Sequence, residues 1–163
     1  MLVERLAHVG TAAARPAAAV MTGGLSAVPK YLTQEWLDEY RRLAGDQPER
    51  PGATARIQYV IEGTHEIHYY VEFEDGRVVS SRLGDHPSPD VTLSMSYEDS
   101  TGIEKGELDP NQAFNQGRIG FDGEMRKLMA LLPILWPSPA RRLSSAAGRY
   151  RAVREQLRAI TEF

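Results

Sequence analysis

The histidines are the side chains with the most obvious capacity for chemistry, and two of them stand close together in the segment His65-Glu66-Ile67-His68. The zinc-protease motif needs two histidines four positions apart on a helix, whereas these two are three apart. On a β-strand, residues three apart point to opposite faces of the sheet, so they cannot share one metal ion. The sequence therefore predicts no metal site at this segment.

Other catalytic arrangements are missing from the sequence as well. The chain contains no cysteine, which excludes disulfides, thiolate nucleophiles and thiolate metal ligands. It has no nucleophile elbow of the G-x-S-x-G type, no P-loop and no dinucleotide-binding fingerprint. The paired acids Glu72 and Glu74 fall on the solvent side of a predicted strand. We therefore predict a protein without catalytic residues and without a cofactor.

One arginine in the predicted strands could still recognise a polar group. A two-residue hairpin turn at Asp75-Gly76 would pair Tyr69 with Arg82. Arg82 would then lie at the end of the inner sheet face, where its forked donors could hold a carboxylate or a phosphate. A longer turn would reverse the register and leave Arg82 exposed near an edge.

The charge of the chain is divided unevenly along its length. The formal net charge is -3 at pH 7, and residues 138–163 carry six arginines and two glutamates, a net charge of +4 that leaves -7 for residues 1–137. Proteins that bind nucleic acids present basic surfaces, so an acidic body argues against a nucleic-acid partner. With 163 residues, 42% of them hydrophobic, the chain is long enough for one domain with a substantial core.

The elements that would position these side chains follow from hydrophobic spacing. Thr33 is a candidate helix N-cap, and apolar residues recur after it at helical spacing up to Gly45. Beyond this helix, strict alternation of apolar and polar residues predicts half-buried antiparallel strands. The alternating segments are residues 56–62, 67–74, 77–83 and 91–97. Ile119 and Phe121 mark a fifth, short strand.

The most apolar segment, residues 125–136, predicts a helix with an unusually wide hydrophobic surface. Its apolar residues cover more than half of the helix circumference, whereas a sheet buries only one side of a helix. The segment contains a proline and is too short to span a bilayer, which takes about 20 apolar residues. A second apolar partner must therefore cover this helix, either protein or a bound ligand. The plainer alternative is that these residues form an ordinary core.

The central part of the sequence also contains a series of short motifs. Asp90-Val91-Thr92-Leu93 is followed by Gly106-Glu107-Leu108-Asp109-Pro110, by Ala113-Phe114, by Gly117-Arg118-Ile119, and then by Gly123 and the apolar helix. In this order the motifs resemble the sterol-binding domain of the sterol carrier protein 2 family, over about residues 31–135. The most specific part is the pattern G-x-L-D-P-x-x-A-F-x-x-G-[KR]-[LI], which residues 106–119 match.

This resemblance implies an α+β fold, with a curved, mainly antiparallel sheet of five strands, helices packed on one face and an apolar tunnel between them. It also implies non-catalytic binding or transfer of a hydrophobic ligand, such as a fatty acid, an acyl-CoA, a phospholipid or a sterol. The ligand site is expected to comprise Trp36, Tyr40, Met95, Phe114, Phe121, Met125, Leu128, Met129, Leu132 and Trp136, with Arg82 as the candidate for a head group. The alternative is an interaction or dimerisation module that docks a lipid- or steroid-metabolising enzyme.

Two extensions flank the predicted lipid-binding domain at residues 31–136. In residues 1–30 the sequence predicts a short helix over residues 1–14, followed by a linker. The segment does not have the features of a signal peptide, so we expect a cytoplasmic protein. Residues 137–163 predict a basic amphipathic helix. Its narrow apolar seam consists of Leu143, Ala147, Tyr150, Val153, Leu157 and Ile160. We expect this seam to pack on protein, including the N-terminal helix. A homodimer through this helix, and transient contact with a membrane or a partner enzyme, are the other options.

Overall fold

The structure, a computed structural model, describes residues 29–136 and 145–163, and for residues 145–150 it describes the backbone only. The predicted helix at residues 1–14, its linker and the start of the C-terminal extension lie outside the described residues. In chain order the described elements are α1 (Gln34–Ala44), β1 (Ala55–Glu62), β2 (Ile67–Glu74), β3 (Arg77–Leu83), β4 (Val91–Ser96), α2 (Tyr97–Lys105), α3 (Pro110–Asn115), β5 (Gly120–Gly123), α4 (Met125–Leu135) and α5 (Ser145–Ala159).

The five strands form one sheet with the spatial order β3-β2-β1-β4-β5. The pairs β1–β2, β2–β3 and β4–β5 are antiparallel, whereas β1 and β4 run parallel. The chain makes a meander through the first three strands and then crosses back to place β4 beside β1. The predicted α+β fold with a five-stranded, mainly antiparallel sheet is confirmed, with one parallel pair at its centre.

Alternating side chains of the central strands build the core on the inner face of the sheet. The most deeply buried of them, with exposed fractions of 0 to 7%, are Ile57, Tyr59, Ile61, Tyr69, Val71, Phe73, Val91, Leu93 and Met95. Successive residues of a strand point to opposite faces, so the period of two predicted from the sequence is the period of burial in the structure.

Helix α1 lies on this face, over β3. The Thr33 hydroxyl caps the helix by accepting a hydrogen bond from the Trp36 amide at 3.3 Å, as the sequence predicts. The buried Ser81 hydroxyl of β3 donates to the Leu37 carbonyl at 2.7 Å, which joins the helix to the edge strand.

A β-bulge between β2 and β3 places Arg82 on a different face of the sheet from the one predicted. The turn at Asp75-Gly76 has positive φ at both residues, 47° and 87°, as a tight hairpin requires. Beyond it, however, the register of β3 against β2 shifts by one residue, so that Arg82 pairs with Tyr70 and Leu83 with Tyr69. Because such a slip moves side chains to the other face, Arg82 is exposed on the outer face and its predicted inner-face position is wrong.

The motif region turns sharply between β4 and β5. Strand β4 ends one residue earlier than predicted, because the Ser96 hydroxyl caps α2 by accepting from the Asp99 amide at 3.0 Å. Helix α2 closes at Gly106, which has the left-handed φ of 81° that favours glycine. Asp109 then caps α3, and its side chain accepts from the Asn111 amide at 3.0 Å. Gly106 and Asp109 of the motif thus end one helix and begin the next.

The C-terminal helix α5 packs on the body of the protein. It contacts α1, α4 and α2, and its seam residues Val153 and Leu157 are 6% and 0% exposed. A short parallel bridge between Lys30 and Glu162 holds the end of the chain beside the start of the described body. For Val153 and Leu157, the expectation that the seam packs on protein is thus met by the chain's own core, whereas Leu143 and the side chains of Ala147 and Tyr150 lie outside the described residues.

Candidate functional site

An open groove of about 490 Å³ lies between α5 and the segment from α2 to α3. The last residues of α4 close one end of it. Its apolar surface comes from Ile103, Leu108, Pro110, Leu135 and Trp136. We call this space the α2–α5 groove.

Local structure explains why the apolar side chains of the groove lie together. After α2 ends, the amides of Glu107 and Leu108 both donate to the Gly102 carbonyl, at 2.8 and 3.0 Å, which folds the loop back on the helix. Gly102 leaves room for this, since a Cβ atom there would lie 3.3 Å from the Leu108 Cβ. From the other side, the ring of Trp136 packs 5.8 Å from that of Phe114 of α3.

The opposite wall is one face of α5. Its lining residues Arg151, Arg154, Glu155 and Arg158 recur at intervals of three and four, which places them on a single side of the helix. Glu104 and Glu107 of the α2 end, with Asp109, add acidic groups to the other wall. The groove thus combines an apolar surface with charged walls.

Arg154 lines the groove with a side chain that is largely withdrawn from water. Its Nη1 contacts Glu104 Oε2 at 2.8 Å, and its Cζ lies 5.0 Å from the ring centroid of Tyr40. Burial is the largest single influence and lowers the pKa of the Arg154 guanidinium, but the Glu104 carboxylate and the neighbouring tyrosines together outweigh it, so the pKa lies above its ordinary value. Arg154 is therefore held as a cation in a fixed ion pair.

Buried tyrosines stand on the inner side of Arg154. The rings of Tyr59 and Tyr69 stack with centroids 4.5 Å apart. Burial raises the pKa of Tyr40, Tyr59 and Tyr69, so that their hydroxyl groups remain protonated near neutral pH. Arg154 also lines a small cavity of about 10 Å³ beside Tyr40, which has room for a single water molecule.

Comparison with known proteins assigns the family. A model described as the SCP-2 sterol transfer family matches residues 37–135, more than half of the chain. The chain belongs to this family. Membership in the SCP-2 family indicates hydrophobic lipid binding or transfer. No curated protein matches the chain.

Solved structures, two of them of proteins named as sterol carrier proteins, share the fold. Sterol Carrier Protein 2 Like 2 from Aedes aegypti is 20% identical with a TM-score of 0.51, and the match covers 60% of this chain and 90% of that one. A conserved hypothetical protein from Thermus thermophilus is 14% identical with a TM-score of 0.57, covering 78% and 90%. A crystal structure of sterol carrier protein 2 is 12% identical with a TM-score of 0.53, covering 80% and 96%. At these identities the likeness shows the fold alone.

The structure distributes the predicted SCP-2 site residues over several environments. Trp136 lines the α2–α5 groove and Tyr40 lines the small cavity. Trp36, Met95 and Leu128 are buried in the core, whereas Phe114, Phe121 and Leu132 are partly buried and pack against it. Most of the predicted set therefore belongs to the core, and only Trp136 reaches the groove.

Two predicted residues lie on the surface. Met125 is 42% exposed and Met129 is 60% exposed, so their predicted place in an apolar wall between sheet and helices is wrong. Both belong to a stripe of α4 that ends at Trp136. The stripe becomes covered only in its last turn, where Trp136 meets Phe114 of α3.

Several residues of the groove were not predicted from the sequence. Ile103 and Leu108 fall in segments that read as polar helix and as motif, and Arg154 and Arg158 fall in the C-terminal extension. Only the motif at residues 106–119 could have indicated a groove residue from the sequence, since Leu108 is part of that pattern. The arginines of α5 lie beyond the residues that the family model matches.

The histidine segment lies far from a metal-site geometry. His65 falls in the turn before β2, and His68 faces the carboxylates of Asp85 and Glu66 at 2.5 and 2.9 Å. The hydrogen bond with Asp85, then that with Glu66, raises the pKa of His68. Within residues 29–136 and 151–163, no group of three or more His, Asp or Glu side chains is placed to hold a metal ion. Across the described helices, none combines the length and the hydrophobicity needed to cross a bilayer.

Proposed function

We propose that the chain binds and transfers, without catalysis, an apolar ligand held in the α2–α5 groove. The observation that carries the proposal is the groove itself, about 490 Å³ in volume with apolar residues from three helices and a loop at its surface. Small-molecule sites in proteins measure about 300–1,000 Å³. The groove is thus of the right size for an acyl chain or for a compact ring system.

The hydrophobic effect supplies the binding energy in this proposal. Ile103, Leu108 and Pro110 are only partly buried and present apolar surface to the groove, and each CH₂ group transferred from water into such a site contributes about 0.8 kcal/mol. A ligand with a long hydrocarbon part can therefore bind with few polar contacts. Fatty acid, acyl-CoA, phospholipid and sterol all meet this condition.

The proposed ligand position differs from a tunnel between the sheet and the helices. The cavity beside Tyr40 and Arg154, on the inner side, measures about 10 Å³ and would not accept a lipid without a rearrangement. Val153 and Leu157 of α5 are buried in that region. We therefore place the ligand on the outer side of Arg154, in the α2–α5 groove.

The described part of the C-terminal helix does not favour the alternative of an interaction or dimerisation module. The seam of the C-terminal helix pointed to a partner, but its residues Val153 and Leu157 pack in the chain's own core. This part of the seam offers no apolar surface to a second copy or to a partner enzyme.

Organic extraction of the purified native protein, followed by mass spectrometry, tests the proposal directly. We expect a co-purified lipid, or failing that, saturable binding of a fluorescent acyl probe to the delipidated protein. A protein that carries no lipid and binds no acyl or sterol probe would refute lipid carriage.

A matched pair of variants tests the location of the ligand. Ile103→Arg places a long cation in the groove, and Val79→Arg places the same side chain at an exposed position of β3 that is remote from it. We expect the first variant to weaken acyl-probe binding about tenfold or more and the second to leave it unchanged. Equal binding by both variants, with thermal melts that show both folded, would place the ligand elsewhere.

A further inference from the structure

Arg158 of α5 is a half-buried cation in the wall of the α2–α5 groove. Its Nε donates a hydrogen bond to the Glu104 carbonyl at 2.7 Å, which fixes the side chain along the end of α2. A Cβ atom at Gly106 would lie 3.0, 3.1 and 3.3 Å from its Cζ, Nη2 and Nη1. These nearly equal distances mean that the guanidinium lies face-on against Gly106, with its in-plane N–H groups directed past the glycine.

Arg158 has no carboxylate partner in the described part of the chain. No Asp or Glu oxygen there lies within the 4.0 Å of an ion pair, and no described acceptor bonds Nη1 or Nη2. Its neighbour Arg154 differs, because Glu104 neutralises that guanidinium at 2.8 Å. Arg154 is thus paired with a carboxylate of the protein, whereas the Nη1 and Nη2 groups of Arg158 donate to no described acceptor.

The acidic residues of the groove do not take the place of a counter-ion. Glu107 and Glu155 are exposed, so that water and salt screen their charges, and Asp109 already caps α3 through its side chain. A guanidinium that is partly withdrawn from water beside apolar side chains gains most from an anion that brings its own apolar body.

We infer that the ligand of the α2–α5 groove is an anionic amphiphile, whose carboxylate or phosphate head is held by Nη1 and Nη2 of Arg158 while its hydrocarbon part lies along Ile103, Leu108 and Pro110. The inference rests on the proposed function and adds the chemical class of the ligand to it. Two N–H groups in one plane match the paired oxygens of either head group. Because α5 lies outside residues 37–135, this recognition is a property of this chain beyond its family match.

The test compares ligands that share one hydrocarbon chain. Hexadecanoate, hexadecyl phosphate and hexadecanol are titrated below their micellar concentrations against delipidated wild-type protein, Arg158→Gln and Arg126→Gln. Arg126 is an exposed arginine of α4 and serves as the matched loss of charge. Circular dichroism melts check that each variant is folded.

We expect wild type to bind at least one of the two anions about 10- to 100-fold more tightly than the alcohol, the range for hydrogen bonds to a charged group. Arg158→Gln should abolish that difference and leave the alcohol affinity unchanged, and Arg126→Gln should behave as wild type. A preference for the phosphate points to a phospholipid head, and a preference for the carboxylate points to a free fatty acid.

Equal wild-type affinity for the three ligands, or an equal loss for all three in Arg158→Gln, would overturn the anionic assignment and leave lipid binding intact. Failure of every ligand, including the alcohol, to bind wild type would instead overturn the proposed function. If Arg158→Gln is unfolded, the same titrations with Arg158→Lys test the anionic assignment. It keeps the charge without the planar fork, so the anion preference should shrink without disappearing, and a full wild-type preference would count against a bidentate contact.

Discussion

Arg154 of α5 and Glu104 of α2 form an ion pair with an Nη1 to Oε2 distance of 2.8 Å, and their side chains are only 18% and 10% exposed. The pair joins a helix outside the family match to the helix that begins the motif region. It stands between the α2–α5 groove and the buried tyrosines of the interior. The C-terminal helix is thus fixed to the body by a buried charge as well as by apolar packing.

Removing one partner of this ion pair should destabilise the protein strongly. Glu104→Gln leaves Arg154 charged and buried without a counter-ion, and the expected loss is about 3–5 kcal/mol in the free energy of unfolding. The exposed Glu107→Gln is the control and should change stability by less than about 0.5 kcal/mol. Urea denaturation measures both. The double variant Glu104→Leu with Arg154→Met removes both charges, and should lose less than Glu104→Gln alone.

Gly106 and Gly117 have nearly the same φ, so substitutions at the two positions distinguish the effect of backbone strain from the effect of a side-chain contact. Gly106 has φ of 81° and Gly117 has φ of 78°, but a Cβ atom meets Arg158 at the first and nothing within 4 Å at the second. Gly117→Ala should therefore cost about 1 kcal/mol from backbone strain alone. Gly106→Ala carries the same strain and also displaces the guanidinium of Arg158.

Stability and ligand affinity together distinguish the two glycine variants. Gly106→Ala should lower the affinity for an anionic amphiphile, whereas Gly117→Ala should leave it unchanged. Chemical denaturation and the ligand titrations provide the measurements. The same affinity in both variants would indicate that the position of Arg158 against Gly106 has no part in binding.

The carboxylate of Asp90 makes acid stability depend on a second ion pair. Asp90 accepts a hydrogen bond from Lys127 Nζ at 2.9 Å and another from the Arg56 amide at 2.8 Å. Burial alone raises the pKa of Asp90, but these hydrogen bonds outweigh it and lower the pKa below its ordinary value. A lowered folded-state pKa gives stability that is fully present above the unfolded pKa of about 3.9 and is lost as pH falls through the folded pKa.

Asp90→Asn should thus lower stability at neutral pH by about 1–3 kcal/mol, because a charged acceptor is lost. The difference from wild type should disappear in acid, once Asp90 itself is protonated. Urea midpoints measured over a pH series test this, with the exposed Asp122→Asn as control. A deficit that persists below the folded pKa would mean that shape, not charge, is the contribution of Asp90.

Local patterns in the sequence predict the elements well. The cap at Thr33, the alternation in β1, β2 and β4, and the short fifth strand are decided by neighbours in the chain, and the structure has all of them. The register between paired strands is harder to predict from the sequence. The bulge in β3 has no local signal in its run of valines and serines, yet one extra residue moves Arg82 to the other face of the sheet.

The groove could not be assembled from the sequence because its walls come from distant segments. Residues 103–112, 135–136 and 151–158 meet only when α5 packs against the body. The width of the apolar arc on residues 125–136 indicates that a second partner is needed, but not at which turn. The structure supplies that partner at the end of the helix and leaves its beginning in solvent.

Neighbouring residues of α4 give the sharpest test of this arrangement. Leu128 is 1% exposed and Met129 is 60% exposed, so the same substitution meets opposite environments one position apart. Met129→Arg should change the free energy of unfolding by less than about 0.5 kcal/mol, and acyl-probe binding should stay at the wild-type level. Leu128→Arg buries a cation in the core and should cost several kcal/mol or prevent folding. Thermal melts and probe titrations provide the readouts. Weaker binding by a folded Met129→Arg protein would return the ligand to the exposed stripe of α4 and remove it from the α2–α5 groove.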